Sequence, residues 1–180
     1  MFEQAFRNID DALRITTKVK TKLHLTAFDP EPGVGEPKFL DEWYVNHITV
    51  NRKRYFIFTE ALTLFSHIVS SNQINARRRF EELATDILFH HVKPHAEISQ
   101  ALFESIASKI VIGKTNNRRI LGSQNELVWM AQARDARFDE AEFDEVNDTP
   151  LSMLEYSPRD AFEKELRRLT GQEETLKPRK

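Results

Sequence analysis

The chain contains no cysteine, which excludes a disulfide framework, a thiolate zinc site and a cysteine nucleophile. Glycine is scarce, with five residues in 180; no Gly-Lys-Ser/Thr ending follows the Pro/Gly stretch at 27–38, and no glycine-rich cofactor loop is encoded. No apolar run approaches the roughly 20 residues needed to cross a bilayer, and no signal peptide is recognisable, so the expected address is the cytoplasm. Neither charge dominates: 26 Lys and Arg stand against 28 Asp and Glu, a net charge of -2. Whole-chain composition therefore does not mark a nucleic-acid binder.

What is present is globular. Forty per cent of the residues are apolar and thirteen are Phe, enough for one core of ordinary size. Charge is unevenly spread, with 9 Lys and Arg against 13 Asp and Glu in residues 133–180, so a slightly basic body carries an acidic tail. The spacing predicts three parts: an N-terminal amphipathic helix over 1–12, an α+β core over 13–137, and an acidic extension over 138–180 ending in a short helix.

In the first part Phe2, Phe6, Ile9 and Leu13 recur at helical spacing. Leu13 to Thr16 alternates like a strand, and Thr17 to Leu23 follows as a brief basic helix. Pro30, Pro32, Gly33, Gly35 and Pro37 mark a loop. Trp43–Val50, Arg54–Phe58 and Leu62–Val69 are β-rich runs separated by short polar turns, which predicts a three-stranded antiparallel meander with the middle strand covered on both faces. Helical periodicity follows in Phe80, Leu83, Ala84 and Ile87, and again in Ile98, Leu102 and Ile106. The fold class is α+β: a small antiparallel sheet, the meander plus short strands such as Ile110–Ile112, packed with two to four helices. His90, His91 and His95 straddle the break at Pro94 and have no acidic or thiolate partner at a metal-ligand spacing. No metal and no cofactor is expected.

The densest polar cluster runs from Lys114 to Glu126. Ser123 followed by Glu126 ahead of Leu127-Val128-Trp129-Met130 has the form of a capping box and predicts a helix beginning at Ser123. Asn116, Asn117 and Gly122 tolerate turns, which puts Arg118 and Arg119 on a bent loop beside a helix N-terminus, a geometry suited to anions. Thr115, Asn117, Arg118, Arg119 and Asn125, with Arg52 and Trp43, are the candidate ligand-binding residues. Asn125 and Trp129 lie one turn apart.

From Leu13 to Phe162 the chain resembles an uncharacterised family of small bacterial proteins, a domain of unknown function. Four features carry the resemblance: Leu13-Arg14-Ile15-Thr16 with a Lys-rich stretch; Trp43-Tyr44-x-Asn46 leading to Asn51-Arg52; Thr115-x-Asn117-Arg118-x-x-Leu121-Gly122-Ser123-x-Asn125; and Asn147-x-Thr149-Pro150-Leu151 followed by Tyr156-Ser157-Pro158 and Phe162. Where relatives carry an Asn in the turn after the second meander strand, this chain has Thr59-Glu60-Ala61. Residues 1–11 resemble the start of the modification subunits of type I restriction systems, without that family's methyltransferase motifs.

These features predict a non-enzymatic binding or regulatory protein of a bacterium or mobile element, taking an anionic ligand or nucleic-acid phosphate at 114–125. A protein partner through the acidic tail is a further expectation. The alternative is a small metal-independent nuclease or toxin-like enzyme, with His47 or His67 as general base and Arg118 stabilising the transition state. A third reading, resting on the first residues alone, is an accessory of a restriction, defence or mobile-element system.

Overall fold

The computed structural model describes residues 12–29, 39–74, 76–92, 111–134, 143–152 and 154–170. All of the expected helix at 1–12 but Ala12, which opens the first strand, the restriction-type resemblance of 1–11, the Pro/Gly loop at 30–38, the helix over 98–106 and His95 lie outside the described residues. The elements are strands β1 (Ala12–Ile15), β2 (Glu42–Val50), β3 (Lys53–Glu60), β4 (Ser66–Ser70) and β5 (Val111–Lys114), and helices α1 (Thr17–Lys22), α2 (Arg77–Val92), α3 (Arg118–Arg134) and α4 (Pro158–Thr170).

The five strands form one sheet in the order β4-β3-β2-β1-β5. The expected antiparallel meander is β2-β3-β4. Its first hairpin closes on Asn51 and Arg52, both at positive φ (49° and 64°), the two-residue turn whose twist matches that of the strands. The expected third run, Leu62–Val69, is split: residues 66–70 pair with β3, while the segment before them is a turn. Glu60, fully buried, organises that turn by accepting from the amides of Leu62 and Thr63, the Thr63 hydroxyl and the Leu40 amide. The two short strands differ from expectation in direction. β1 pairs parallel to β2 on one side and to β5 on the other, so the sheet is mixed and β2 is its central strand.

Both faces are covered, because Tyr55-Phe56-Ile57-Phe58 offers apolar side chains alternately to each. On one face Phe56 and Phe58 pack with Leu13, Ile15, Trp43 and Val45 beneath α1 (Val19), α2 (Phe80, Ala84, Ile87) and α4 (Phe162, Leu166). Phe80 sits with its ring centroid 5.5 Å from each of Phe56 and Phe58. On the other face Tyr44, Tyr55, Ile57 and Ile68 pack beneath α3 (Ile120, Leu127, Ala131) and the segment bearing Phe143, Val146 and Leu151. The acidic segment thus contributes apolar side chains to one layer, and α4 to the other. Ser157 caps α4 as the Ser-Pro pair predicts, accepting from the Asp160 amide at 3.2 Å and donating to the Asp160 carboxylate at 2.8 Å.

α3 begins earlier than the capping-box pattern indicates. Its cap is Asn117, whose Oδ1 accepts from the Arg119 amide at 3.0 Å and the Ile120 amide at 3.4 Å. Ser123 lies inside the helix, buried, donating back to the Arg119 carbonyl at 3.3 Å. Gly122 is likewise helical and exposed, and a Cβ there would meet nothing within 4 Å. The reason is burial. Starting at Arg118 puts Ile120 on the same stripe as Leu127 and Ala131, worth about 1.5–3 kcal/mol, which exceeds the ~1 kcal/mol cost of a helical glycine.

Candidate functional site

β1 and β5 are neighbouring parallel strands, yet the helices that follow them leave on opposite faces: α1 joins the Phe56 layer and α3 the Ile57 layer. In open sheets this divergence leaves a crevice beyond the carboxyl ends of the two strands, where ligands of such folds gather. Here the residues at that point are Thr16, after β1, and Thr115-Asn116-Asn117, after β5. The ladder runs one step past β5, with the Thr115 amide donating to the Ile15 carbonyl at 3.1 Å. Thr115 Oγ1 is buried and makes no hydrogen bond.

Beneath this segment lies a buried polar cluster. In-register pairing puts Arg14, Tyr44 and Gly113 on the α3 side of the sheet. Arg14 Nε donates to Glu42 Oε1 at 2.6 Å, and the Tyr44 hydroxyl lies 2.6 Å from Asn116 Oδ1 and 3.2 Å from Glu42 Oε2. Burial, with the Glu42 carboxylate beside it, drives the Tyr44 phenol well above its usual range, so it stays protonated and holds Asn116. A Cβ on Gly113 would come within 2.8 Å of Arg14 Nη1; glycine is what lets the guanidinium lie across β5. Tyr44 and Asn116 are 72 residues apart, so no local pattern announces their contact.

Arg118 and Arg119 are exposed on the first turn of α3, and among the described residues neither guanidinium has an ion-pair partner. Two of the described acidic residues, Asp144 and Asp148, both bind Arg159, at 2.8 and 2.7 Å. The amides expected to face a ligand are mostly taken, since Asn117 accepts from two through its side chain and from Leu121 through its carbonyl. At 100° per residue, Arg118, Gly122, Asn125 and Trp129 share one exposed stripe. Trp129 is 68% exposed and so is a surface side chain.

The other expected site residues lie apart. Trp43 is 2% exposed within the α1/α2/α4 layer, so it is a core residue and cannot line a surface site. Arg52 is at the tip of the β2–β3 hairpin. Lys114 is level with Val45 through Ile15, so the tip stands five residues or more further along β2, roughly 17 Å away. His47 pairs with Phe56 and His67 with Phe58. Both therefore face the layer opposite α3, about 12 Å apart by strand spacing and rise. His47 is on the central strand, not an outer one, and neither imidazole converges with Arg118.

Among the described residues no group of three or more His, Asp or Glu is placed to hold a metal ion, and no helix is long and apolar enough to cross a membrane. A family model described as a domain of unknown function, DUF6933, matches residues 12–158. No curated protein and no solved structure matches the chain.

Proposed function

The chain belongs to the DUF6933 family, a domain of unknown function, and we propose that it is a non-catalytic binding module for a phosphate-bearing ligand, with a nucleic-acid strand the best fit. One observation carries the reading: two exposed arginines without ion-pair partners among the described residues open a helix whose outer stripe continues through Asn125 to a Trp that is 68% exposed. Arginines neutralise phosphates and fix register, while an exposed indole offers a base a stacking surface. Arg118 and Trp129 are eleven residues apart, about 16 Å along the helix, a span covering a few nucleotides. Asn117 caps the first turn, and Thr115, bonded to the end of β1, puts the carboxyl ends of β1 and β5 at the same corner.

The test is titration with a short single-stranded oligonucleotide, followed by tryptophan fluorescence. The chain has two Trp, and Trp43 is shielded, so a ligand-dependent change reports Trp129. Replacing Arg118 and Arg119 together with Ala should abolish retention at moderate salt and reduce the salt slope by roughly 1.4, the value for two phosphate contacts on a single strand. Trp129→Ala should weaken binding by about 1–3 kcal/mol, with Trp129→Phe recovering part of it. Unchanged affinity and slope in the double variant would overturn the reading. Nothing in the geometry favours the nuclease alternative, because its histidines and Arg118 occupy opposite layers.

A further inference from the structure

On the layer opposite α3, outside the proposed nucleic-acid surface, four side chains are gathered: the half-buried His47 and three cations that act on it. Strand register sets two of them: His47 pairs with Phe56 and Thr49 with Arg54, so Arg54 is on the same face as His47, as its diagonal neighbour. The start of α1 is pinned beside His47 because Asn46 Oδ1 receives both the Thr16 hydroxyl at 3.1 Å and the His47 amide at 2.9 Å. On that helix Val19 enters the core. Lys18 and Lys22 lie on the same flank of Val19, whereas Lys20 lies on the other and sits over the Phe28 ring.

The field at His47 agrees with this placement. Burial lowers its pKa first, followed by the charges of Lys22, Arg54 and Lys18. The turn at Ser71–Gln73 adds no charge, only the buried Ser71 hydroxyl 3.0 Å from His47 Nε2, and α2 adds the Phe80 ring behind Phe56. With Nε2 occupied, Nδ1 is the ring nitrogen left for a ligand. Among the described residues Lys18, Lys22 and Arg54 have no ion-pair partner. Cations from two elements thus act on one imidazole and disfavour its charged form, an arrangement that an entering anion would relieve.

We propose that Lys18, Lys22, Arg54 and the Nδ1 edge of His47 form a second site, for a phosphoryl group, and that occupancy draws a proton from solvent onto His47. The anion takes its oxygens to the two ammonium groups and the guanidinium, and the imidazolium donates the remaining hydrogen bond. Either a terminal phosphate or a strand phosphate presents this chemistry.

The experiment is an NMR titration of the imidazoles, the His47 signal being assigned by its loss in His47→Gln among the six histidines. It is run without anion, with sulfate, which is dianionic throughout, and with inorganic phosphate, a nucleoside monophosphate or a short oligonucleotide. Without anion His47 should titrate below an ordinary histidine. With sulfate or phosphate its midpoint should climb, one pH unit for each tenfold preference of the anion for the protonated form. Lys18→Gln/Lys22→Gln/Arg54→Gln should raise the midpoint in the free protein and remove the response to anions, and circular dichroism checks that it folds; Lys22→Gln alone should halve the effect or more. A response to the small anions alone assigns a terminal phosphate; a response to the oligonucleotide as well assigns a strand phosphate. A His47 curve indifferent to every anion, or one equally responsive in the triple variant, overturns the site. Arg118→Ala/Arg119→Ala should leave the response intact, so failure here and failure of the α3 surface are separable.

Discussion

Replacing Gly122 with alanine should stabilise this protein, and the sign of the effect tests the geometry of the candidate site. Gly122 is the fifth residue of α3, exposed, and a Cβ there would meet nothing within 4 Å. The added methyl group therefore meets no steric penalty and removes the conformational freedom that makes glycine a poor helical residue, a gain of about 0.8–1 kcal/mol. For a chain of this size that is roughly 2–4 °C in the thermal midpoint, or about 0.5 M in the urea midpoint at a slope near 2 kcal/mol/M. Equilibrium urea unfolding followed by circular dichroism measures it, with the slope required to stay constant. If Gly122 instead formed the bend before a helix starting at Ser123, alanine would be forced into a left-handed conformation and the midpoint would fall. A loss of 1 kcal/mol or more would refute the helical placement, and with it the single stripe that joins Arg118 to Trp129.

Asn117→Ala should cost about 1 kcal/mol by removing the cap from the Arg119 and Ile120 amides, whereas Asn117→Asp should cost little; urea midpoints of the two, set beside a near-neutral Ser123→Ala, decide which residue starts α3. Asn147 binds the Ser66 amide and carbonyl at 2.9 Å each, closing the free edge of β4, so Asn147→Ala should cost about 2–3 kcal/mol, since both backbone groups are buried. Hydrogen exchange at the Ser66 amide checks that directly. The Arg77 hydrogen bonds hold Asp29 below its ordinary value against the opposing effect of burial, and the Ile112 amide adds to them. A depressed carboxylate stabilises the fold above its unfolded-state value and loses that contribution as pH falls through its lower folded value. Stability measured from about pH 5 to pH 2 should therefore fall less steeply in Asp29→Asn than in the native chain, and equal slopes would contradict the pairing.

Legibility followed the range of the interaction. The meander was readable because strand alternation and polar turns are local, and the cap of α4 because Ser157, Pro158 and Asp160 are neighbours in the chain. The start of α3 misled for the same reason. Asn117 and Ser123 are both good caps, and the choice fell to the burial of Ile120 against the distant sheet. Most residues of the family-like motifs prove architectural: Asn117 caps, Asn147 closes a strand edge, and Phe162 packs 5.0 Å from Phe39 and 4.5 Å from Phe65. Of the expected binding residues, Arg52, Arg118, Arg119 and Asn125 are exposed, while Trp43 is in the core. The pairing of Asn125 and Trp129 one turn apart was legible from helical spacing, but the exposure of Trp129 was decided by which face of α3 meets the sheet.

The sequence by itself determined that there would be three antiparallel strands, amphipathic helices around them, and a pair of arginines at the junction of a strand and a helix. Periodicity and turn chemistry act over a few residues, and those residues are adjacent. The tertiary structure alone decided that β1 and β5 join in parallel, that the helices after them part to opposite faces, and that Arg118 and His47 consequently belong to different surfaces. Pairing between segments about a hundred residues apart is selected by which side chains can be buried together, and that free energy exists only once the sheet has assembled.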